Sequence, residues 1–111
     1  MKSMFLVRSE HLTHEGNLFG GHLMAEIDTI AYCLLREEYP GRAFVTRAAE
    51  ISFERPAKLG DVITFEAGIE KVGTTSITVR VVGTVARRPI CTAKAVFVRV
   101  TAEGKKAPVN A

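Results

Sequence analysis

Two hydrophobic periods divide the chain. "MFLV", residues 4–7, is a short apolar run suited to a first strand, and the polar, glycine-containing residues 8–19 predict a loop. From about Gly21 to Glu38 the apolar positions are Leu23, Met24, Ile27, Ile30, Ala31, Leu34 and Leu35. They recur at the helical period and predict one long amphipathic helix. Pro40-Gly41 gives it a sharp stop.

Past Gly41 the period falls to two. "FVTRAAEISF" is β-prone and closes at Arg55-Pro56. "DVITFEAGIE" puts Ile63, Phe65, Ala67 and Ile69 on one face and Thr64, Glu66 and Glu70 on the other. Gly73 marks a hairpin turn. "TSITVRVVGTVA" aligns Ile77, Val79, Val81 and Val85; Arg87-Arg88-Pro89 reads as the next turn, and "ICTAKAVFVRV" as the last strand. The tail "AEGKKAPVNA" is expected to be frayed and flexible.

One strand, one helix and four closely linked strands make an α+β domain in which consecutive strands pair antiparallel. The sheet can wrap the helix and bury both apolar faces. Val82, Val96, Val98 and Val100 then add more apolar surface than one helix covers. Pairing of sheet edges between two copies would also remove an exposed edge, so self-association is expected.

Composition narrows the function classes. The 111 residues suffice for a single domain, residues 1–111, with a core at about 5–100, and the 47% hydrophobic content argues against disorder. A net charge of +3, with no long basic run and no aromatic-rich basic strand, gives no reason to expect a nucleic-acid partner. No run reaches the ~18 apolar residues that span a bilayer, so no membrane partner is expected. The N-terminus lacks the long apolar stretch of a signal peptide. Cys33 and Cys91 fit no metal spacing and read as buried free thiols, which suits a reducing cytoplasm. His11, His14 and His22 cluster loosely without a fourth ligand, so no metal is expected.

The candidate chemistry lies at the start of the helix, in "GNLFGGHLMAEID". A helix start leaves backbone N–H groups unpaired at a partly positive end, and glycine lets another molecule's atoms approach them. Phe19-Gly20-Gly21 therefore suits an oxygen that gains negative charge, as in acyl transfer. The same pair also reads as a tight loop-to-helix turn, with Gly20 at a backbone angle other residues avoid. Asp28 falls on the flank of the apolar stripe beside Met24 and Leu35. A carboxylate there is either a catalytic group or a helix-edge residue, solvated or paired with a strand residue such as Arg47. His22 reads either as a pocket residue or as an exposed first-turn histidine.

These pieces, in order, resemble the hot-dog fold acyl-CoA thioesterases, in particular the broad-specificity cytosolic acyl-CoA hydrolases. The resemblance runs over about residues 5–100. It rests on Phe19-Gly20-Gly21 with Asp28, on Phe53-x-Arg55-Pro56 leading to Gly60-Asp61-Val62, and on Gly73-Thr74-Thr75-Ser76-Ile77. It implies a hot-dog fold: a five-stranded antiparallel sheet wrapped around one long central helix. It also implies dimers joined edge to edge, possibly as a trimer of dimers, with active sites between subunits. The implied activity is acyl-CoA hydrolysis, with no cofactor. Amides around Gly20 and Gly21 would polarise the thioester carbonyl, and Asp28 would activate water or attack directly. Phe19, His22, Thr75 and Ser76 would line the substrate site. Many members carry an asparagine eight residues before the second glycine. Here that position is Thr13, whose hydroxyl can hold a water, and Asn17 stands nearby as a substitute or a plain turn residue. Arg55, Lys58, Arg87 and Arg88, which flank turns at the sheet ends, are the candidates to hold the coenzyme phosphates. The alternatives on the same fold are a non-catalytic acyl-CoA-binding module and a dehydratase.

Overall fold

The computed structural model describes residues 1–110. Its elements are β1 (Lys2–Leu6), a short 3-10 turn (Ser9–His11), α1 (Gly20–Glu38), β2 (Ala43–Phe53), β3 (Val62–Val72), β4 (Ser76–Val85) and β5 (Arg88–Val100). The strands form one antiparallel sheet in the order β1-β3-β4-β5-β2. The helix lies on one face of it, as the two periods imply.

The core is the meeting of those two patterns. Leu23, Ile27, Ile30, Ala31, Leu34 and Leu35 of α1 are buried against the alternating Ile63, Phe65 and Ala67 of β3, Ile77, Val79 and Val81 of β4, and Cys91, Ala93, Ala95 and Phe97 of β5. Met24, expected on the buried stripe, is 49% exposed. The helix backbone packs on β3, β4 and β5, while β2 lies further off and meets it through side chains such as Tyr32 and Asp28. Along β2 only Phe44 is buried and Ile51 half-buried, so this edge strand exposes most of both faces.

Four expectations change. The turn between β4 and β5 is tighter than Arg87-Arg88-Pro89: Ala86 and Arg87 take positive φ values of 48° and 67°, the geometry of a two-residue hairpin turn, and Arg88 already pairs with Val85. The tail is not frayed over its described part. The N–H of Ala107 donates to Arg99 O at 3.0 Å and that of Val109 to Thr74 O at 2.8 Å, and the Val109 side chain is fully buried in the core. Val98 on the outer sheet face is buried as well, and the large apolar side chains left exposed are spread over β1 (Met4, Leu6), β2 (Val45, Phe53) and β3 (Val62, Val72) as well as Phe19 and Met24 at the helix start. Finally, the thiols differ: Cys91 is buried but Cys33 is exposed, because it falls off the stripe defined by Ile30 and Leu34.

Candidate active site

The loop before α1 folds back on itself. Leu12 pairs with Leu18, the N–H of Thr13 donates to Asn17 O at 2.7 Å, and Gly16 closes the turn at φ +86°. The Thr13 hydroxyl accepts from the Glu15 N–H at 3.2 Å, so it serves its own turn. Asn17 bridges to Lys58. Neither Thr13 nor Asn17 lines the grooves beside the helix start.

The loop delivers Phe19 as the residue preceding the helix. Its N–H donates to His11 O at 2.8 Å, and its side chain provides no cap. Leu23 and His22 N–H groups both turn back to Phe19 O. Among the described residues no acceptor takes the N–H groups of Gly20 and Gly21. Neither glycine takes the unusual backbone angle expected of Gly20, since neither has a positive φ, and only Gly21 is needed for space. A Cβ on Gly20 would meet open space, whereas one on Gly21 would stand 2.6 Å from the Phe19 ring.

Two grooves flank this helix start. One, of about 360 Å³, is lined by Leu18, Gly20, Leu23, Phe53, Arg55 and Ala57, among others. The other, of about 390 Å³, runs between α1 and β2. Gly21, Met24, Asp28, Thr46, Ala49 and Ile51 line it, so Gly21 and Asp28 share one mostly apolar groove. The exposure of Met24 follows from that position. Asp28 is the only charged residue in the lining.

The strand partner of Asp28 is Thr46, not Arg47. Thr46 Oγ1 lies 3.2 Å from Asp28 Oδ1 and donates to it. Thr46 pairs with Phe97 and Ala48 with Val96, which leaves Arg47 as the extra residue of a bulge and re-aims it. The same Thr46 oxygen is 3.4 Å from the Tyr32 hydroxyl, which donates to Phe44 O at 3.1 Å. The sequence reading missed Thr46 and Tyr32. Tyr32 lies four residues beyond Asp28, which stacks the two on one helix face, but no sequence feature fixes which β2 residue meets them.

His22 is turned elsewhere. It is exposed and its ring packs edge-on against His11 at 5.1 Å and Phe19 at 5.9 Å. His11 is buried, and its Nδ1 accepts from the Arg8 N–H at 3.0 Å. Among the described residues no grouping of three His, Cys, Asp or Glu side chains is placed to hold a metal ion.

The remaining candidates divide by location. Glu54 and Arg55 N–H groups both donate to Ile90 O, at 2.8 and 3.3 Å, which lays Arg55 near the start of β5, the strand that Arg88 opens and Arg87 precedes. The ion pairs among the described residues are Lys2–Glu66, Arg8–Glu10 and Lys94–Glu70, so none of these three arginines is neutralised by one. The Lys58 N–H is held by Asp61 Oδ2 at 2.8 Å. Thr75 and Ser76 sit at the opposite end of β4 from Val85, about 30 Å away at the usual strand rise, beside the tail rather than the helix start. Within one chain they are not brought to either groove.

The thioesterase superfamily profile matches residues 15–92. The acyl-CoA thioester hydrolase YciA of Salmonella typhimurium is 35% identical over 103 residues, covering 85% of this chain and 77% of that protein. An acyl-CoA hydrolase from Staphylococcus aureus, solved with butyryl coenzyme A and coenzyme A, superposes with a TM-score of 0.89 at 27% identity, over 97% of this chain and 70% of that one. A hexameric thioesterase from Yersinia pestis superposes with a TM-score of 0.87 at 26% identity, over 96% of this chain and 91% of that one.

Proposed function

The chain belongs to the thioesterase superfamily, and from that membership we propose how the groups at its helix start divide the work of hydrolysis. The reaction is cleavage of an acyl-CoA thioester to a free acid and coenzyme A. The observation that carries the assignment of roles is that the groove beside α1 has unclaimed helix-start N–H groups at one end and its only charged side chain, Asp28, further along.

In this reading the N–H groups of Gly20 and Gly21 receive the thioester carbonyl oxygen. They stabilise the charge that builds on it. Asp28 either takes a proton from the attacking water or attacks the carbonyl itself. Collapse of the intermediate expels the coenzyme thiolate. Thr46 donates to Asp28 Oδ1 and holds the carboxylate in the groove. No cofactor enters this chemistry.

The two halves come from different protomers. At ~1.5 Å rise per residue, Asp28 lies about 12 Å along the helix from Gly20, too far for both to reach one carbonyl. A two-fold contact through the exposed β2 edge supports a shared site. If its axis passes near the exposed Met24 and Ala25, each Asp28 faces the partner's Gly20 and Gly21. The dimer is thus the smallest active unit, and the first groove, with Arg55, takes the coenzyme arm. A cytoplasmic location fits two unpaired cysteines, one of them exposed.

A dehydratase would need a histidine working with the acid, and His22 instead packs on His11 and Phe19. The test is thiol release from a panel of acyl-CoAs, from acetyl to palmitoyl. Turnover of at least one by the assembled protein is expected. Tight binding of acyl-CoA without thiol release from any of them overturns the assignment in favour of a binding module.

A further inference from the structure

Asp28, Thr46, Tyr32 and Phe44 O form a continuous chain of hydrogen-bonding groups, and its proton count has a consequence. Tyr32 has one O–H, directed to Phe44 O at 3.1 Å. Its oxygen is therefore left as an acceptor. Thr46 also has one O–H and faces two acceptors, Asp28 Oδ1 at 3.2 Å and the Tyr32 oxygen at 3.4 Å. It can satisfy only one at a time.

We propose that Tyr32 is a positioning residue that acts on Asp28 through Thr46, by giving the Thr46 proton a second place to point when Asp28 becomes protonated. While Asp28 is ionised, the Thr46 O–H points at it. When Asp28 takes a proton from water, it takes it on the oxygen that faces the water, and Oδ1 becomes the carbonyl oxygen of a neutral acid, a weaker acceptor. The Thr46 O–H then turns toward the Tyr32 oxygen, and the Tyr32 O–H stays on Phe44 O. No proton passes along the chain. Without the Tyr32 oxygen, Thr46 has only the weakened Oδ1 and solvent to donate to, so protonation of Asp28 costs more.

The rest of the Tyr32 side chain makes this geometry dependable. Its ring packs edge-on against the buried Phe97, with centroids 5.1 Å apart and planes at 79°. Phe44, which supplies the carbonyl, is itself buried. The phenol is therefore fixed by the buried Phe97 ring and the Phe44 carbonyl. This inference rests on Asp28 serving as the base in thioester hydrolysis.

The test is a double-mutant cycle on kcat with the best acyl-CoA substrate. Tyr32→Phe removes only the oxygen and keeps the packing on Phe97. It should lower kcat by about three-fold with KM unchanged, the scale of one modest hydrogen bond. Thr46→Val should lower kcat by about ten-fold, and Thr46→Ser should restore most of it. Adding Tyr32→Phe to Thr46→Val should cost nothing more, because the intermediary is gone. Losses that multiply in the double variant, or a Tyr32→Phe effect confined to KM, overturn the inference alone. A parent protein that releases thiol from no acyl-CoA overturns the hydrolase reading and this inference with it.

Discussion

A Cβ on Gly21 would stand 2.6 Å from Cε2 of Phe19, the residue that caps the helix without a capping side chain. The ring lies over the first turn, and only the absence of a side chain at Gly21 permits it. Because Phe19 is 53% exposed, its ring can swing outward, so Gly21→Ala should fold. It should nevertheless lose at least ten-fold in kcat/KM, since the methyl group intrudes where the carbonyl oxygen must approach. Gly20→Ala is the comparison: its Cβ meets no neighbour, so thermal stability should hold or rise slightly. Melting temperature and kcat/KM measured together separate the two positions. Equal activity in Gly21→Ala and the parent would remove this amide from the oxyanion site.

Asp28→Asn keeps the shape of the side chain and removes the charge. Asp28 is half-buried and takes part in no ion pair among the described residues, so the fold should survive. The maximal rate should fall ~100-fold or more, the usual scale for losing an acid–base group. A folded, assembled Asp28→Asn protein that turns over at the parent rate would make Asp28 a structural helix-edge residue.

The sheet, the helix and the position of Asp28 were legible because each depends on periodicity and local chemistry. The partner of Asp28 was not. Thr46 meets it only because a bulge at Arg47 shifts the register of β2 against β5, and nothing in "FVTRAAEISF" announces a bulge. The tail misled for a related reason: "AEGKKAPVNA" has the composition of a loose end, yet Val109 finds a core site that exists only once the β3–β4 turn is built. Thr75 and Ser76 were selected by resemblance rather than by placement, and within one chain they lie at the end of β4 opposite Val85.

The buried tail leads to a stability prediction. Val109 is fully buried and its N–H is bonded to Thr74 O. Val109→Ala should destabilise the protein by about 1–3 kcal/mol, the range for removing buried methyl groups. Urea denaturation would read this as a lower midpoint at unchanged slope. A midpoint equal to the parent's would return the tail to a merely appended role.

Arg55 lines the first groove, its backbone bonds to Ile90 near the start of β5, and Arg87 and Arg88 lead into that strand; none of the three is in an ion pair among the described residues. If they hold the coenzyme phosphates, KM for acyl-CoA should rise between low and high salt, with kcat little changed. Reversing Arg55 to Glu should raise KM several-fold at low salt and flatten the salt dependence. Lys58, whose backbone is tied to Asp61, should tolerate the same reversal better. A KM indifferent to salt would place the phosphates elsewhere.

The last prediction concerns the edge that the helix does not cover. β2 is an eleven-residue strand with exposed residues on both faces and an unpaired outer edge. A strand of that length left open would be a template for uncontrolled pairing, so a defined partner strand is expected. Self-pairing about a two-fold axis is the simplest closed solution, and it is also what carries Asp28 to the partner's helix start. Light scattering at micromolar concentration should therefore give a mass that is a multiple of two chains. Ala48→Pro removes a backbone donor at the centre of this edge strand, between Thr46 and Glu50. It should shift the mass toward the 12.1 kDa single chain and abolish turnover even though Gly20, Gly21 and Asp28 are intact. The two losses should track each other across protein concentration. An active monomer would show that one chain assembles the whole site, and the composite arrangement would have to be abandoned.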